Sequence, residues 1–209
     1  MFSKIQSFLR KAEKAMAALP ASRVVLLEQI ADYILKSNAN QVESNIVFIC
    51  THNSRRSHLA HILLHSAVHY HKIPIKFGIF SGGTETTAFN WRAAEALKSF
   101  GFEYTVTEGE NPTYRISIDE KNELEVFSKV YNDPNNPSSN FAAIMTCSEA
   151  DQACPMVIGA EKRIALTYED PKDADGTAEE KEVYARRTFQ IATEMVYLTN
   201  YLNSRIQRN

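Results

Sequence analysis

The sequence predicts an α/β protein in three layers: a parallel four-stranded sheet covered by helices on both faces, with an N-terminal helical hairpin and an inserted β-hairpin. Three observations carry this reading. Short apolar runs alternate with segments whose apolar residues recur at helical spacing. Two helical stripes precede the first of those runs. One stretch before the third run switches to strict apolar and polar alternation around a polar turn.

In chain order, Ile5, Phe8, Leu9, Ala12, Met16 and Leu19 form one stripe over residues 3–19, and Val24, Leu27, Ile30, Ala31, Ile34 and Leu35 another over 22–37, with Pro20 between them. Their apolar faces are expected to pack on the main body or on a second subunit, which makes a homodimer through these helices one expectation. A polar connector follows, so residues 1–42 read as an appendage and 43–209 as the main domain. Ile46 to Cys50 is a buried strand, 56–71 a helix, 75–81 a strand, and 89–100 a helix stopping near Gly101. Tyr114, Ile116 and Ile118, then Leu124 and Val126, flank the turn at 119–122 and read as a hairpin inside an insertion at about 104–140. Strands over 142–147 and 163–168 and a long helix from about Val183 to Leu202 complete the chain.

With 209 residues, 44% of them hydrophobic, and a formal net charge of -2, the chain has material for a core and no basic field to gather nucleic acid or anionic lipid. No uncharged run approaches the ~18 residues of a membrane helix. Three cysteines, an odd and low number without a leader before them, point to thiol chemistry in the cytoplasm rather than to a disulfide framework. His58, His61, His65 and His69 recur on one helical face and read as a solvated or interfacial stripe, so neither a metal nor any other bound cofactor is expected.

Open parallel sheets bind ligands beyond the carboxyl ends of their strands. Those ends are read at Cys50, Ser81 and Cys147, with Asp170 two residues past the fourth. In Cys50-Thr51-His52-Asn53-Ser54-Arg55-Arg56-Ser57 a strand runs through a tight loop into a helix. Such a loop aims backbone N–H groups and the positive helix end at one point, a cradle for a tetrahedral oxyanion such as phosphate or sulfate. Arg56 can return to clamp two oxygens, and the same field favours the thiolate of Cys50. Ser57 can donate its hydroxyl to that sulfur. Asn53 tolerates the left-handed backbone such a loop needs, with Ser81 as its expected side-chain partner.

The segment Val47 to Ser57 resembles the signature loop of the low-molecular-weight protein tyrosine phosphatase superfamily, which includes the thioredoxin-coupled arsenate reductases. The resemblance continues through Ser81-Gly82-Gly83-Thr84-Glu85, Thr146 to Pro155, and Glu169-Asp170-Pro171. His52 stands where the family usually has glycine, and Arg55 where the reductases often have another cysteine. The resemblance implies that Cys50 is the nucleophile, Arg56 the oxyanion clamp and Asp170 the general acid, with Thr51, His52, Asn53, Ser54, Arg55, Ser57 and Ser81 lining or supporting the loop.

Three functions follow as expectations. A reductase would pass oxidation from Cys50 to Cys147 and Cys154, with thioredoxin as the external reductant; it needs three cysteines, and the chain has three, all at the reductase positions. A phosphatase would hydrolyse phosphotyrosine through a phosphocysteine, but Lys172-Asp173-Ala174-Asp175-Gly176 lacks the aromatic residues that hold a substrate ring. A non-catalytic oxyanion-binding or redox-sensing module would use the same loop without turnover.

Overall fold

The computed structural model describes residues 1–153 and 156–207. The elements are α1 (Ser3–Ala15), α2 (Ala21–Ala39), β1 (Asn45–Cys50), α3 (Arg56–His71), β2 (Gly78–Gly83), α4 (Trp91–Ser99), β3 (Glu103–Val106), β4 (Tyr114–Ser117), β5 (Glu123–Val126), β6 (Phe141–Met145), α5 (Ser148–Ala153), β7 (Ala160–Ala165) and α6 (Glu180–Ile206). Strands β2-β1-β6-β7 lie side by side in that order, all parallel. The two central strands, β1 and β6, are buried at every position, which is why they read as unbroken apolar runs.

Two edge strands sit at a different register from the one expected. The ladder of β2 covers Gly78–Gly83 rather than 75–81, because it starts where Asn45 faces Gly78; a Cβ there would lie 2.1 Å from the Asn45 Oδ1. Ile75 and Phe77 pack against the core instead of pairing. Likewise β7 pairs over Ala160–Ala165 rather than 163–168, while the alternating burial of Ile164, Leu166 and Tyr168 continues past the ladder. Ser81 is therefore inside β2, opposite Phe48, and Asp170 lies five residues beyond β7.

The insertion forms three antiparallel strands rather than two. The expected hairpin is β4 and β5, paired from Tyr114↔Val126 to Ser117↔Glu123, with the Asp119 carboxylate accepting from the Asn122 N–H across the turn. The added edge strand, β3, is mostly exposed, and its short alternation of Tyr104 and Val106 with Glu103 and Thr105 is not among the strands expected from the sequence. Beyond β5 the chain returns along the free edge of β2. Gly83 N–H donates to the Lys129 carbonyl and Tyr131 N–H to the Gly83 carbonyl, forming a short parallel bridge between Gly83 and Val130.

The apolar stripes of α1 and α2 are covered within the chain. Ile5, Leu9, Leu27, Ile30 and Ile34 have no exposed surface, and both helices pack along α6, which also backs α3 and α4. Arg23 of α2 reaches further: it donates to both carboxylate oxygens of Glu194 and to the Thr167 carbonyl. No helix among the described residues is long and apolar enough to cross a membrane.

Candidate active site

The loop after β1 is built around Asn53, whose φ of 43° is the left-handed conformation that asparagine tolerates. Its side chain is fully buried and used twice: Oδ1 accepts from the Lys129 N–H at 3.0 Å, and Nδ2 donates to Ser57 Oγ at 2.8 Å. Ser57 Oγ lies 3.1 Å from Cys50 Sγ. Because the serine oxygen already accepts from Asn53, its one hydrogen is free to point at the sulfur. Asn53 thus orients the residue that touches Cys50, and the expected pairing with Ser81 is not formed. The Ser81 hydroxyl is buried without a hydrogen-bond partner, because its strand runs on to Gly83 and the return segment at Lys129 meets Asn53 first.

Gly83 supplies the close approach that this loop requires. A Cβ there would stand 2.4 Å from the Glu85 carbonyl oxygen and 2.7 Å from both the Asn53 nitrogen and the Thr51 carbonyl oxygen, all backbone atoms that cannot rotate away. The Thr51 carbonyl accepts from the Glu85 N–H, the His52 carbonyl from Ser128 Oγ, and the Ser54 carbonyl from the Asn90 N–H. The His52 ring is half exposed at the rim, 3.5 Å from Glu85 Oε2.

Arg56, buried at the start of α3, donates Nη1 to the Tyr168 carbonyl at 3.0 Å and Nη2 to Asp170 Oδ2 at 2.7 Å. Among the acids near Pro171, Asp170 is the one that reaches the clamp. Glu169 pairs with Arg187, and Asp175 with Arg55. Glu149 at the head of α5 stands 3.5 Å from Arg56 Nη1, a neighbour the sequence did not single out. The α5 backbone and Arg56 hold its carboxyl below the usual range. Arg55 does not share the clamp: Nε donates to the Tyr184 hydroxyl and Nη2 to Asp175.

Cys50 and Cys147 are both buried, in one apolar cluster with Val47, Ile49 and Met145. Cys147 Sγ lies 3.5 Å from Thr51 Oγ1 of the loop and accepts from the Ala150 N–H at 3.3 Å. Burial pushes its thiol pKa up, opposed by Thr51, the Ala150 N–H and the Arg56 charge. Cys154 lies outside the described residues.

The histidine stripe of α3 departs from expectation. His58 and His61 are buried rather than solvated, because the insertion covers that face: His58 stacks on Phe89 at 4.6 Å, and its Nε2 is 3.2 Å from the Phe127 carbonyl. Among the described residues, no group of three or more His, Cys, Asp or Glu could hold a metal ion.

No family model matches the chain. It is 28% identical to an arsenate reductase of Bacillus subtilis over 142 residues, covering 68% of this chain and 84% of that protein. It is 25% identical to one from Halalkalibacterium halodurans over the same length and coverage. Among solved structures, a low-molecular-weight phosphotyrosine phosphatase from Vibrio cholerae superposes with a TM-score of 0.53 at 14% identity, over 78% of this chain and 98% of that one. A YwlE arginine phosphatase from Geobacillus stearothermophilus gives a TM-score of 0.51 at 18% identity, over 79% and 97%. The sheet that carries the cysteine loop has the fold of the low-molecular-weight protein tyrosine phosphatases, and the sequence of the chain is similar to those of arsenate reductases.

Proposed function

We propose that the chain reduces arsenate to arsenite by a three-cysteine relay, without a bound cofactor and with thioredoxin as the external reductant. The observation that carries this reading is a second thiol, Cys147, buried against the loop of the first and 3.5 Å from Thr51 Oγ1. A hydrolase has no use for it there.

The arsenate takes two donors from Arg56, displacing Asp170 from Nη2. The Cys50 thiolate then forms a sulfur–arsenic bond and expels one arsenate oxygen, which leaves as water with a proton from the Asp170 carboxyl. Cys147, deprotonated, attacks the Cys50 sulfur. The sulfur–arsenic bond pair stays on arsenic, which departs as arsenite, and the two electrons are balanced by a Cys50–Cys147 disulfide. Cys154 attacks the Cys147 sulfur, which restores the Cys50 thiolate and leaves a Cys147–Cys154 disulfide for an external dithiol to reduce.

The last exchange is expected to bring a change of conformation with it. A helical path over the seven steps from 147 to 154 spans about 10 Å, whereas a disulfide needs its Cα atoms within about 7 Å. Helix α5 begins at Ser148 with the Ala150 N–H on Cys147 Sγ, a contact that Cys147 gives up when it enters a disulfide.

Mass spectrometry after a single turnover with arsenate tests the relay. The expected result is a Cys147–Cys154 link that thioredoxin reverses, with new protease sensitivity near 148–156. Arsenite formed while both residues stay thiols means that a thiol from outside the chain supplies the two electrons and sinks the relay, whereas hydrolysis of para-nitrophenyl phosphate with no arsenite formed moves the assignment to a phosphatase-type reaction on Cys50. No product from arsenate and none from para-nitrophenyl phosphate leaves an oxyanion-binding module.

A further inference from the structure

Arg55 and Arg56 are neighbours in the loop, yet their side chains grip opposite ends of one short segment. Residues Pro171–Ala174 form a single 3-10 turn with Asp170 before it and Asp175 after it. Arg56 holds the Asp170 end at 2.7 Å. Arg55 holds the other end: its Nη2 is 3.0 Å from Asp175 Oδ2, and its Nε donates to the Tyr184 hydroxyl at 2.7 Å. That hydroxyl in turn donates to Asp175 Oδ1 at 2.7 Å, closing a ring of three side chains. Arg92 adds a further tie. It donates to Glu180, which accepts from the Gly176 N–H, and stands 3.7 Å from Asp175 Oδ1.

The two grips differ in what an oxyanion does to them. An anion entering the cradle competes with Asp170 for Arg56 and so removes the first grip at the moment the segment is needed. The second involves no atom facing the cradle and survives. From this geometry we infer that Arg55 is a positioning residue: through Asp175 and Tyr184 it keeps the acid-bearing segment in place after substrate has taken Arg56 away from Asp170. The inference rests on Asp170 being the acid of the proposed reaction. It also gives this chain's Arg55 a task other than oxyanion binding. A neutral side chain there would leave Asp175 and the Tyr184 hydroxyl without their shared donor, and the segment tied to the loop only through Arg56.

The test uses the whole protein and four variants: Arg55→Ala, Arg55→Lys, Asp170→Asn and the Arg55→Ala/Asp170→Asn double. The rate is that of arsenate-dependent loss of the Cys147 and Cys154 thiols in a single turnover, read by alkylation. Removing a general acid slows its step by ~10²–10⁴-fold. Arg55→Ala is expected to slow it by about tenfold to a hundredfold at an unchanged half-saturating arsenate concentration, with Arg55→Lys recovering part of the loss. The double variant is expected to be no slower than Asp170→Asn alone, since Arg55 acts through Asp170. Losses that multiply, or weaker arsenate saturation with an unchanged limiting rate, would overturn the inference, the second by making Arg55 an anion ligand. Hydrogen exchange over residues 170–177 supplies an arm independent of turnover. Inorganic phosphate is expected to speed exchange there in Arg55→Ala and not in the parent. Equal protection in both overturns the inference even if the parent proves inactive toward arsenate, an outcome that would sink the reductase reading separately.

Discussion

Cys50→Ser is expected to abolish consumption of arsenate or of an aryl phosphate, with activity falling by ~10³-fold or more, while thermal unfolding stays within a few degrees of the parent. The sulfur is buried and touches Ser57 Oγ, so a hydroxyl of similar size fits the same place. It is not ionised at neutral pH and does not attack. Arg56→Ala is expected to cost at least the ~10²–10³-fold typical of a lost oxyanion donor. This second variant is also expected to melt lower, because the Tyr168 carbonyl and Asp170 both lose their partner. Purified Cys50→Ser protein that keeps measurable turnover would falsify the assignment of the nucleophile.

The second large effect is on stability. Burial, helped by the Lys129 charge, pushes the His58 pKa down to about 3. His61, fully buried and with neither ring nitrogen hydrogen-bonded, is held well below its ordinary value by desolvation, then by His58, Lys129 and His65; the nearby Ile79 carbonyl offsets only part of this. In the unfolded chain both rings titrate near 6.5. Above that pH neither state binds the protons and stability is at its full value. As pH falls below it, the unfolded chain takes up protons that the folded chain refuses. Stability then drops by about 1.4 kcal/mol per pH unit for each histidine, down toward the folded values. Urea midpoints are therefore expected to fall steeply between pH 7 and pH 5. His61→Leu, which removes one titrating ring from the same space, should flatten the curve. A midpoint independent of pH over that range would show that these rings are not neutral in the folded protein.

What could be read from the residues alone follows a physical division. The strands β1 and β6 were legible because both their faces are buried, so every position after Asn45 is apolar. Edge strands were legible only roughly: the apolar alternation of β7 runs on to Tyr168 after pairing has stopped at Ala165, and the alternation of β3 is only four residues long on a mostly exposed strand. Within the site, the placing of Cys50, Arg56 and Ser57 is local, set by a loop of a few residues between a strand and a helix. The contacts that distinguish this chain are not local. Asn53 meets Lys129 across 76 residues and Arg55 meets Asp175 across 120, separations over which spacing carries no information. The histidine stripe misled for a related reason, since helical periodicity finds a face but cannot tell which later segment will cover it.

The path of the chain after β5 bears on how freely this protein could be rebuilt. An insertion joined at two nearby points is ordinarily the part of an enzyme most open to grafting, shortening or exchange. Here the return strand is sewn into the cradle: Lys129 supplies the N–H that fixes Asn53, Ser128 Oγ bonds the His52 carbonyl, and Asn136 Nδ2 bonds the Ser81 carbonyl along the same sheet edge. A chimera that replaced residues 104–140 with a short linker would uncover the backbone of β2 and release the asparagine that aims Ser57 at the sulfur. The exchangeable portion is confined to the exposed β3, because Tyr114, Ile116 and Ile118 are core residues and Asp119 of the turn holds the N-terminus, and residues 127–136 have to be counted as part of the catalytic body.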